Sequence, residues 1–186
     1  MNFVGLDGIL VQFSDEIREN ANSAALAFRH EVEQKNQSSI IESANSLTAA
    51  YFRIDTKIQP LDTIFNFFDE MLREKNWYTS KLPIDRKLFK IPCVFGTELA
   101  PQFEKVIKLA GISRSQAILE FTTTRTRVMT IGFSPGQPYA GLLSKKWDLP
   151  RLAEVSKSVP KSALVCAIRQ LIIFSNSTPT GWHHIG

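Results

Sequence analysis

The sequence predicts an α+β protein of two domains, and three observations support this. In the first eighty residues, two helical segments with an apolar face alternate with short β-prone runs. From Arg125 onward, short β-prone runs are separated by glycine, proline and serine, a pattern typical of a barrel or a sandwich. Between them lies Asn76–Lys87, a polar segment that contains Pro83 and has no periodicity. We therefore expect domains at residues 1–80 and 81–186.

The first domain is predicted to be a ferredoxin-like α/β sandwich. Val4–Phe13, Ile40–Ala44 and Leu47–Ile54 are the predicted strands, and the two helices should begin near Asp15 and at Pro60. The helices are predicted from apolar residues that recur every three or four positions, namely Ile17, Ala21, Ala24, Phe28, Val32, then Leu61, Ile64, Phe65, Phe68, Met71 and Leu72. Two amphipathic helices over a small antiparallel sheet form the split β-α-β arrangement of that fold.

The second domain should begin with a strand and two helices. Leu88–Phe95 is the predicted strand, and Pro101–Ala110 is the next helix, which Gly111 should end as a left-handed C′ residue. Ser113–Gln116 has the capping-box pattern that opens a further short helix. Beyond these helices, periodicity indicates only an all-β region, and both a barrel and a sandwich remain open.

Composition supports a globular protein and argues against nucleic-acid binding. The chain has 186 residues, of which 44% are hydrophobic and 13 are phenylalanine, ample for a core. Its net charge is a mild +4. Much of this charge lies near the linker, at Lys81, Arg86, Lys87 and Lys90. A nucleic-acid surface needs a basic stripe with exposed aromatic residues, and the sequence has no such pattern.

The cysteines and the hydropathy pattern exclude several classes of site. Cys93 and Cys166 lie in apolar runs and lack CxxC spacing, so we expect two buried free thiols and neither a metal nor a redox motif. The sequence has neither a signal-peptide pattern nor an apolar run of the roughly eighteen residues that a membrane span needs. We expect a soluble, cytoplasmic protein that has no membrane partner.

Two segments near the end of the sequence are too rich in glycine and proline for core packing to explain them. They are Gly132–Leu142 and Pro179–Gly186. Glycine permits positive φ and close backbone approach, while proline fixes φ, so such loops can aim N–H groups at an anion or a carbonyl. Both segments resemble the family that contains allophanate hydrolase subunit 1, the B-type subunit of 5-oxoprolinase and the Kip-type histidine-kinase inhibitor. That family has a Gly-Phe-x-Pro-Gly loop followed by a tyrosine, and later a Gly-Trp-x-x-Ile-Gly motif.

Further matches follow in order along most of the chain. Gly5–Phe13 is similar to the family's opening strand, Ser46–Asp55 to its Ser-Leu-x-x-x-Tyr-Asp segment, and Ile91–Gly96 to the start of its second domain. The resemblance implies that the second domain is a cyclophilin-like β-barrel. Family members usually continue for a few dozen residues past the last motif, so the resemblance also implies a barrel that is incomplete at its C-terminus.

The resemblance also implies a set of site residues. Arg127 would hold a carboxylate or phosphate, although a solvated strand arginine remains an alternative, and Gln170 would donate to an acyl oxygen. The residues implied in substrate or nucleotide binding are Gly132, Phe133, Pro135, Gly136, Tyr139, Gly141, Gly181 and Trp182. Among these aromatic residues, Phe133 is expected in the core, Tyr139 either in the core or in a polar contact, and Trp182 as a lid over the barrel end.

Several positions depart from the family pattern. The family's histidine is replaced by Phe121, which removes a ready acid or base. Glycine-type or small polar positions of a later stretch have become Val165, Ile168, Leu171 and Ile172. Branched side chains resist positive φ and block close backbone approach, which argues against catalytic competence. His183 and His184 occupy variable positions, and we expect them to be exposed and to bind no metal.

The implied function is that of one component of an ATP-dependent amide-hydrolysing complex, of the 5-oxoprolinase or allophanate-hydrolase type. ATP would be the cofactor of the complex. The implied partners are a companion similar to allophanate hydrolase subunit 2 or to the C-type subunit of 5-oxoprolinase and, for a 5-oxoprolinase, a third catalytic subunit. The alternative is a non-catalytic binding protein, either a Kip-like inhibitor of a sensor histidine kinase or a degenerate paralogue.

The run Leu164–Phe174 predicts an association hazard. It is apolar except for Arg169 and Gln170, and it would lie at an open edge if the barrel lacked its closing strands. We therefore expect the protein to pair through this run with a partner or with itself, and to be sparingly soluble alone.

Overall fold

The computed structural model describes residues 1–82, 84 and 86–186. Pro83 and Asp85, both in the predicted linker, lie outside the described residues. The chain divides into two compact units, residues 1–87 and 88–186. Both units contain helices and strands, which confirms the predicted mixture of α and β structure.

The first unit is built on a four-stranded antiparallel sheet. Its elements in chain order are β1 Asn2–Val4, β2 Gly8–Gln12, α1 Glu19–Gln34, β3 Ile40–Ser46, β4 Ala49–Ile54 and α2 Leu61–Glu74, followed by a 3-10 turn at Trp77–Thr79. The strand order is β1-β2-β4-β3. Because β4 pairs antiparallel with both β2 and β3, those two strands run parallel with β4 between them, as a split β-α-β unit requires.

Aromatic rings hold the core of this unit together. The fully buried ring of Phe28 on α1 contacts Phe52 of β4, Phe68 of α2 and Trp77, at centroid distances of 6.0, 5.6 and 5.0 Å. Edge-on aromatic pairs of this kind add about 0.5–1.5 kcal/mol each beyond their buried area. The Trp77 indole Nε1–H also donates to the Met71 carbonyl, which ties the end of α2 to the core.

Two predicted boundaries in the first unit are wrong. The expected strand Val4–Phe13 is a hairpin, because Gly5 has φ +64° and turns the chain between β1 and β2. Helix α1 begins at Glu19 and not near Asp15, since Arg18 is extended and the Glu16 amide donates to the Ser14 hydroxyl in a local turn. Short polar side chains compete with helix formation in this way.

The second unit contains two helices and two sheets. Its elements are α3 Phe103–Ala110, α4 Arg114–Thr123, β5 Arg127–Ile131, β6 Pro138–Gly141, β7 Ser156–Val159, β8 Leu164–Ala167, β9 Gln170–Ile173, β10 Thr178–Thr180 and β11 His183–His184, with a 3-10 turn at Lys145–Trp147. One sheet is five-stranded and antiparallel, in the order β11-β8-β9-β6-β5, and β7 pairs with β10 in the other.

The five-stranded sheet packs apolar residues on both faces. One face contributes Cys166 and Leu171 to a cluster that includes residues of α3 and α4. The other face contributes Val165 and Ile172 to a cluster that includes Val159 of β7. Successive residues of a strand point to opposite faces, which explains how neighbouring residues enter different clusters. The position of each functional side chain therefore depends on which face it lies on.

Both predicted helix signals of the second unit are confirmed. Gly111 ends α3 with φ +67°, in the left-handed conformation expected at a C′ position. Ser113 and Gln116 form the complete capping box at the start of α4.

Two predictions about strands in the second unit are wrong. Leu88–Phe95 has no strand partner and is assigned to no element. The run Leu164–Phe174 is not an open edge, because β8 lies between β11 and β9, and β9 lies between β8 and β6. Val165 and Ile172 are at most 1% exposed. The expected association through this run is therefore wrong, because neighbouring strands of the same chain already cover it.

Within the described part of the chain, no helix is both long and apolar enough to cross a membrane.

Limited proteolysis tests whether the two units fold as separate domains. Trypsin should cut first at Lys81, Arg86, Lys87 or Lys90, which are exposed and lie outside helices and strands, and should leave a resistant N-terminal fragment. Arg73 is the internal control, because its side chain is 79% exposed but lies within α2. Initial cleavage at Arg73, detected by mass spectrometry, would argue against a boundary in this segment.

Candidate functional site

Three of the predicted site residues lie side by side across the five-stranded sheet. Arg127 of β5 is opposite Gly141 of β6, and Gly141 is opposite Gln170 of β9. Side chains of directly opposite residues emerge on the same face, with Cβ atoms about 4.5–5.5 Å apart. The structure therefore places a guanidinium and a carboxamide on either side of a position that has no side chain. We call these three residues the Arg127–Gln170 row.

Glycine at position 141 lets its neighbours approach closely. A Cβ atom added there would lie 3.2 Å from the Met129 sulfur, 3.4 Å from Cγ of Gln170 and 3.5 Å from the Arg169 carbonyl. Both Gly141 and Met129 are buried. The glycine thus permits the Gln170 side chain to lie across β6, and a larger residue would displace it.

Gln170 has a buried amide donor without a partner. The residue is 1% exposed, and its Nε2 makes no hydrogen bond to any of the residues that the structure describes. An unpaired buried donor costs about 1–3 kcal/mol, and native proteins contain few of them. A bound acceptor atom would remove that cost. Gln170 is therefore the residue of the row with the clearest capacity to bind a ligand oxygen.

The aromatic residues on this face support the sheet. Tyr139 lies two positions from Gly141 on β6, and its ring meets that of Trp182 edge-on at 5.9 Å. Trp182 is 5% exposed and belongs to the apolar cluster on this face. The Arg151 guanidinium lies 5.5 Å from the Trp182 ring centroid. Gly181 needs no special space, since a Cβ there would make only ordinary contacts.

The predicted glycine–proline loop is a turn closed by its own backbone. Gly132 N–H donates to the Gln137 carbonyl, and Gln137 N–H donates to the Ser134 carbonyl, each at 3.1 Å. Gly136 has φ +71° within this turn, beside the exposed Pro135. Two of the loop amides are thus engaged inside the turn, which weakens the predicted role of the loop as an anion cradle.

Phe133 does not pack in the core as expected. It has φ +67°, a conformation that is uncommon for a residue other than glycine, and its side chain is 75% exposed. The hydrophobicity of phenylalanine predicts burial, but the turn directs this side chain outward.

Sequence reasoning missed Gln137, which stands where the family resemblance implies a second loop phenylalanine. It is 1% exposed, and its Oε1 has no hydrogen-bond partner among the described residues. By strand alternation it lies on the same face as Tyr139 and Gly141. The available signal was the presence of a polar residue at an aromatic position of the motif.

Phe121, where the resemblance implies a histidine, packs on the side of the other face of the sheet. Its ring is 4.2 Å from that of Trp147 and 5.7 Å from that of Phe95, in the cluster that contains Cys166. The Lys146 ammonium donates to Glu120 and is the main cause of the lowered pKa of that carboxyl, and the Trp147 indole Nε1–H, which also donates to it, lowers the pKa further. A histidine at position 121 would therefore not lie beside Gln170, and its loss leaves the row intact.

The turn that precedes Gln170 holds two residues other than glycine at positive φ. Ile168 and Arg169 have φ +41° and +63°, although a branched side chain resists this region. The turn is held by four hydrogen bonds: Ile168 N–H to the Leu149 carbonyl, Arg169 N–H to Trp147, Arg169 Nε–H to Leu143, and Leu143 N–H to Arg169. Surrounding structure can maintain backbone strain of this kind, and here it fixes the register of β8 and β9.

The two histidines are buried, contrary to expectation. His183 is 2% exposed and His184 is 7% exposed. His183 Nε2 lies 2.9 Å from the Pro150 carbonyl. Since a carbonyl only accepts, Nε2 donates in this contact, while Nδ1 has no partner within the described structure. Burial lowers the pKa of His184, and the nearby Gly186 carbonyl partly opposes this.

The cysteines and acidic residues form no metal centre in the residues that the structure covers, where no group of three possible ligands occurs. Cys166 is buried as expected, and desolvation raises the pKa of its thiol to about 12, which makes it unreactive. Cys93 is exposed, contrary to prediction, because its segment has no strand partner.

Charge is distributed unevenly between the two units. Residues 88–186 contain twelve Lys and Arg against five Asp and Glu, a formal charge of +7. Residues 1–87 contain ten Lys and Arg against thirteen Asp and Glu, a formal charge of −3. The mild net charge of the whole chain hides this difference. The unit that carries the Arg127–Gln170 row is the one that attracts anions.

Comparison with known proteins identifies relatives over the whole chain. The family model for the carboxyltransferase domain, subdomain C and D, matches residues 1–186. The B-type subunit of 5-oxoprolinase from Bacillus subtilis (strain 168) is 27% identical over 190 residues, which cover 98% of this chain and 79% of that protein. The protein of the same name from Escherichia coli O157:H7 is 29% identical over 63% of this chain, and the match spans about half, 55%, of its length.

A solved structure has the same fold over most of this chain. The crystal structure of TTHA0988 superposes on 96% of the chain with a TM-score of 0.77 at 21% identity. The chain corresponds to 34% of that protein's length. At this identity the likeness supports the fold alone.

Enlarging residue 141 should destabilise the protein. Gly141→Val adds side-chain atoms beside the Met129 sulfur and Gln170, and overpacking of this kind costs about 1–3 kcal/mol. Gly132→Ala is the matched control, since an added Cβ meets nothing within 4 Å. Urea unfolding measures both variants. Equal free energies of unfolding for Gly141→Val and the wild type would show that the packing around the row is looser than described.

Proposed function

Because the chain belongs to the carboxyltransferase-domain family, subdomain C and D, we propose that it is one component of an ATP-dependent amide-hydrolysing complex of the 5-oxoprolinase type. Two relatives named as the B-type subunit of 5-oxoprolinase support this assignment. The observation that carries the proposal is the unpaired, buried amide of Gln170 in one row with Gly141 and Arg127.

The row suits a substrate that has both a carboxylate and an amide carbonyl. 5-Oxoproline is a five-membered lactam with a carboxylate on its ring. When its carbonyl is attacked, negative charge develops on the oxygen, and an amide donor such as Gln170 Nε2 stabilises that charge. We assign the carboxylate to Arg127, which lies two strands from Gln170, at about 9–10 Å between backbones. Gly141 leaves room between the two groups.

Burial of the row supports the proposal that a partner is required. Gln170 is 1% exposed and Gly141 is buried, so a substrate cannot reach Nε2 from solvent in the isolated chain. We propose that association with a companion similar to the C-type subunit of 5-oxoprolinase, and with a third catalytic subunit, opens this face. The isolated chain is then inactive.

The 132–137 turn does not fit a phosphate cradle for ATP. A phosphate cradle needs consecutive N–H groups that point outward, whereas two amides of the 132–137 turn are bonded internally. We therefore assign ATP, which would supply the driving force for amide hydrolysis, to another component of the complex. The predicted nucleotide role of this loop is not part of the proposal.

We also propose a specific fold for each of the two units, based on strand pairing and shared apolar packing. The split β-α-β of residues 1–87 supports a ferredoxin-like domain. The two sheets of residues 88–186, which contribute to a shared apolar cluster, support a cyclophilin-like barrel.

One observation favours the alternative of a non-catalytic binding protein. Val165 and Ile172 fill positions that are small in the family, and both are buried beside the row. Such packing leaves less space for a substrate and would suit a Kip-like inhibitor of a sensor histidine kinase. Activity of the reconstituted complex separates the two functions.

The purified chain alone should not hydrolyse 5-oxoproline with ATP, whereas the complex with its companion subunits should. In the complex, Gln170→Ala should lower kcat by about 10²–10³, as expected for the loss of one oxyanion donor. Gln12→Ala, which changes an exposed glutamine of the other unit, is the control. Turnover by the chain alone, or an unchanged kcat for Gln170→Ala, would contradict the proposed role. An inactive complex together with binding to a sensor histidine kinase would support the alternative.

A further inference from the structure

The segment Leu88–Val94 exposes an unusual amount of apolar surface. Every residue from 88 to 94 is exposed. Its four large apolar side chains have exposed fractions of 63% for Leu88, 74% for Phe89, 60% for Ile91 and 72% for Val94. Soluble monomers scatter such side chains singly, whereas a contiguous group marks a site of interaction.

The backbone of this segment is also unpaired. Within the described structure, no N–H or carbonyl of residues 88–94 makes a hydrogen bond, and the segment contains no turn or bend. Pro92 favours an extended backbone. A straight segment with open donors and acceptors can pair with a strand from another chain, which is recognition by β-augmentation.

One end of the segment is fixed beside the five-stranded sheet. Phe95 is buried, its carbonyl accepts from Arg114 Nη2 at 3.0 Å, and Gly96 N–H donates to the Ile185 carbonyl. A Cβ atom on Gly186 would lie 3.2 Å from the Val94 carbonyl, and the Gly186 carbonyl accepts from Leu164 N–H. A strand added here would therefore lie at the β11 side of the sheet.

We propose that Leu88–Val94 is the docking segment for the companion protein, which adds an extended acidic strand with apolar side chains. This inference rests on the proposed function, which requires a companion. Charge favours an acidic occupant: the unit is formally +7 and the segment contains Lys90, so an acidic chain is attracted and the same +7 unit of a second copy is repelled. The apolar side chains supply the contact area, and the acidic residues of the partner supply selectivity.

The test is binding of the full chain to a purified companion, the C-type subunit of 5-oxoprolinase. Phe89→Asp and Ile91→Asp each place a carboxylate in the docking segment and should raise Kd at least about tenfold. Leu119→Asp is the matched control, since Leu119 is 61% exposed on α4, and its Kd should change less than about twofold. Circular dichroism melting confirms that each variant is folded.

Hydrogen exchange shows the mode of binding. The amides of Leu88–Ile91, Cys93 and Val94 should exchange quickly in the free chain and slowly in the complex, because a paired strand protects them. Affinity should fall as salt rises, since exposed charges are screened within about 10 Å at 0.1 M salt.

The outcomes separate this inference from the proposed function. If the wild type binds the companion and all three variants bind equally well, the docking segment is wrong and the complex stands. If the wild type does not bind the companion, both proposals fail. If sedimentation shows a dimer of this chain that Phe89→Asp dissociates, the occupant is a second copy and the acidic partner is wrong.

Discussion

The candidate site depends on the register of three neighbouring strands. Gly141 must lie between Arg127 and Gln170, and a shift of one residue in either pairing would send one of the two polar side chains to the opposite face. The register on the Gln170 side is held by the turn at Ile168 and Arg169, which backbone hydrogen bonds and one bond from the Arg169 side chain tie to Leu143–Leu149. The chemistry proposed for the row thus depends on strand register, which the backbone sets in the absence of substrate.

The same constraint explains how the site can survive changes that look damaging in the sequence. The positive φ of Ile168 is unfavourable, but four hydrogen bonds hold the turn in the geometry that a glycine would adopt more easily. Phe121 packs on the other face of the sheet against Trp147, so the absence of a histidine there does not remove a neighbour of Gln170. Neither Ile168 nor Phe121 therefore disturbs the alignment of the row.

Local signals made much of the fold predictable. The Ser113 capping box, the Gly111 stop and the apolar stripe of α2 are each encoded within a few residues, and the structure contains all three. The features that failed depend on distant partners. Leu88–Phe95 has strand-like composition but no strand to pair with, while Leu164–Phe174 is covered by strands that only the tertiary fold supplies.

The site was predictable only in part, because its residues lie in local motifs but its geometry depends on pairing between distant strands. The motif indicates Arg127, Gly141 and Gln170 individually, but only strand pairing shows that they lie in one row. The exposure of Phe133 and the burial of His183 follow from backbone conformation and from contacts such as the Pro150 carbonyl, neither of which composition reveals.

The most direct measurement is a structure of the assembled complex with 5-oxoproline bound. The account predicts that the lactam oxygen lies within hydrogen-bond distance of Gln170 Nε2 and that the carboxylate contacts Arg127. A ligand bound elsewhere, with Gln170 still buried and without contact to it, would contradict the central claim.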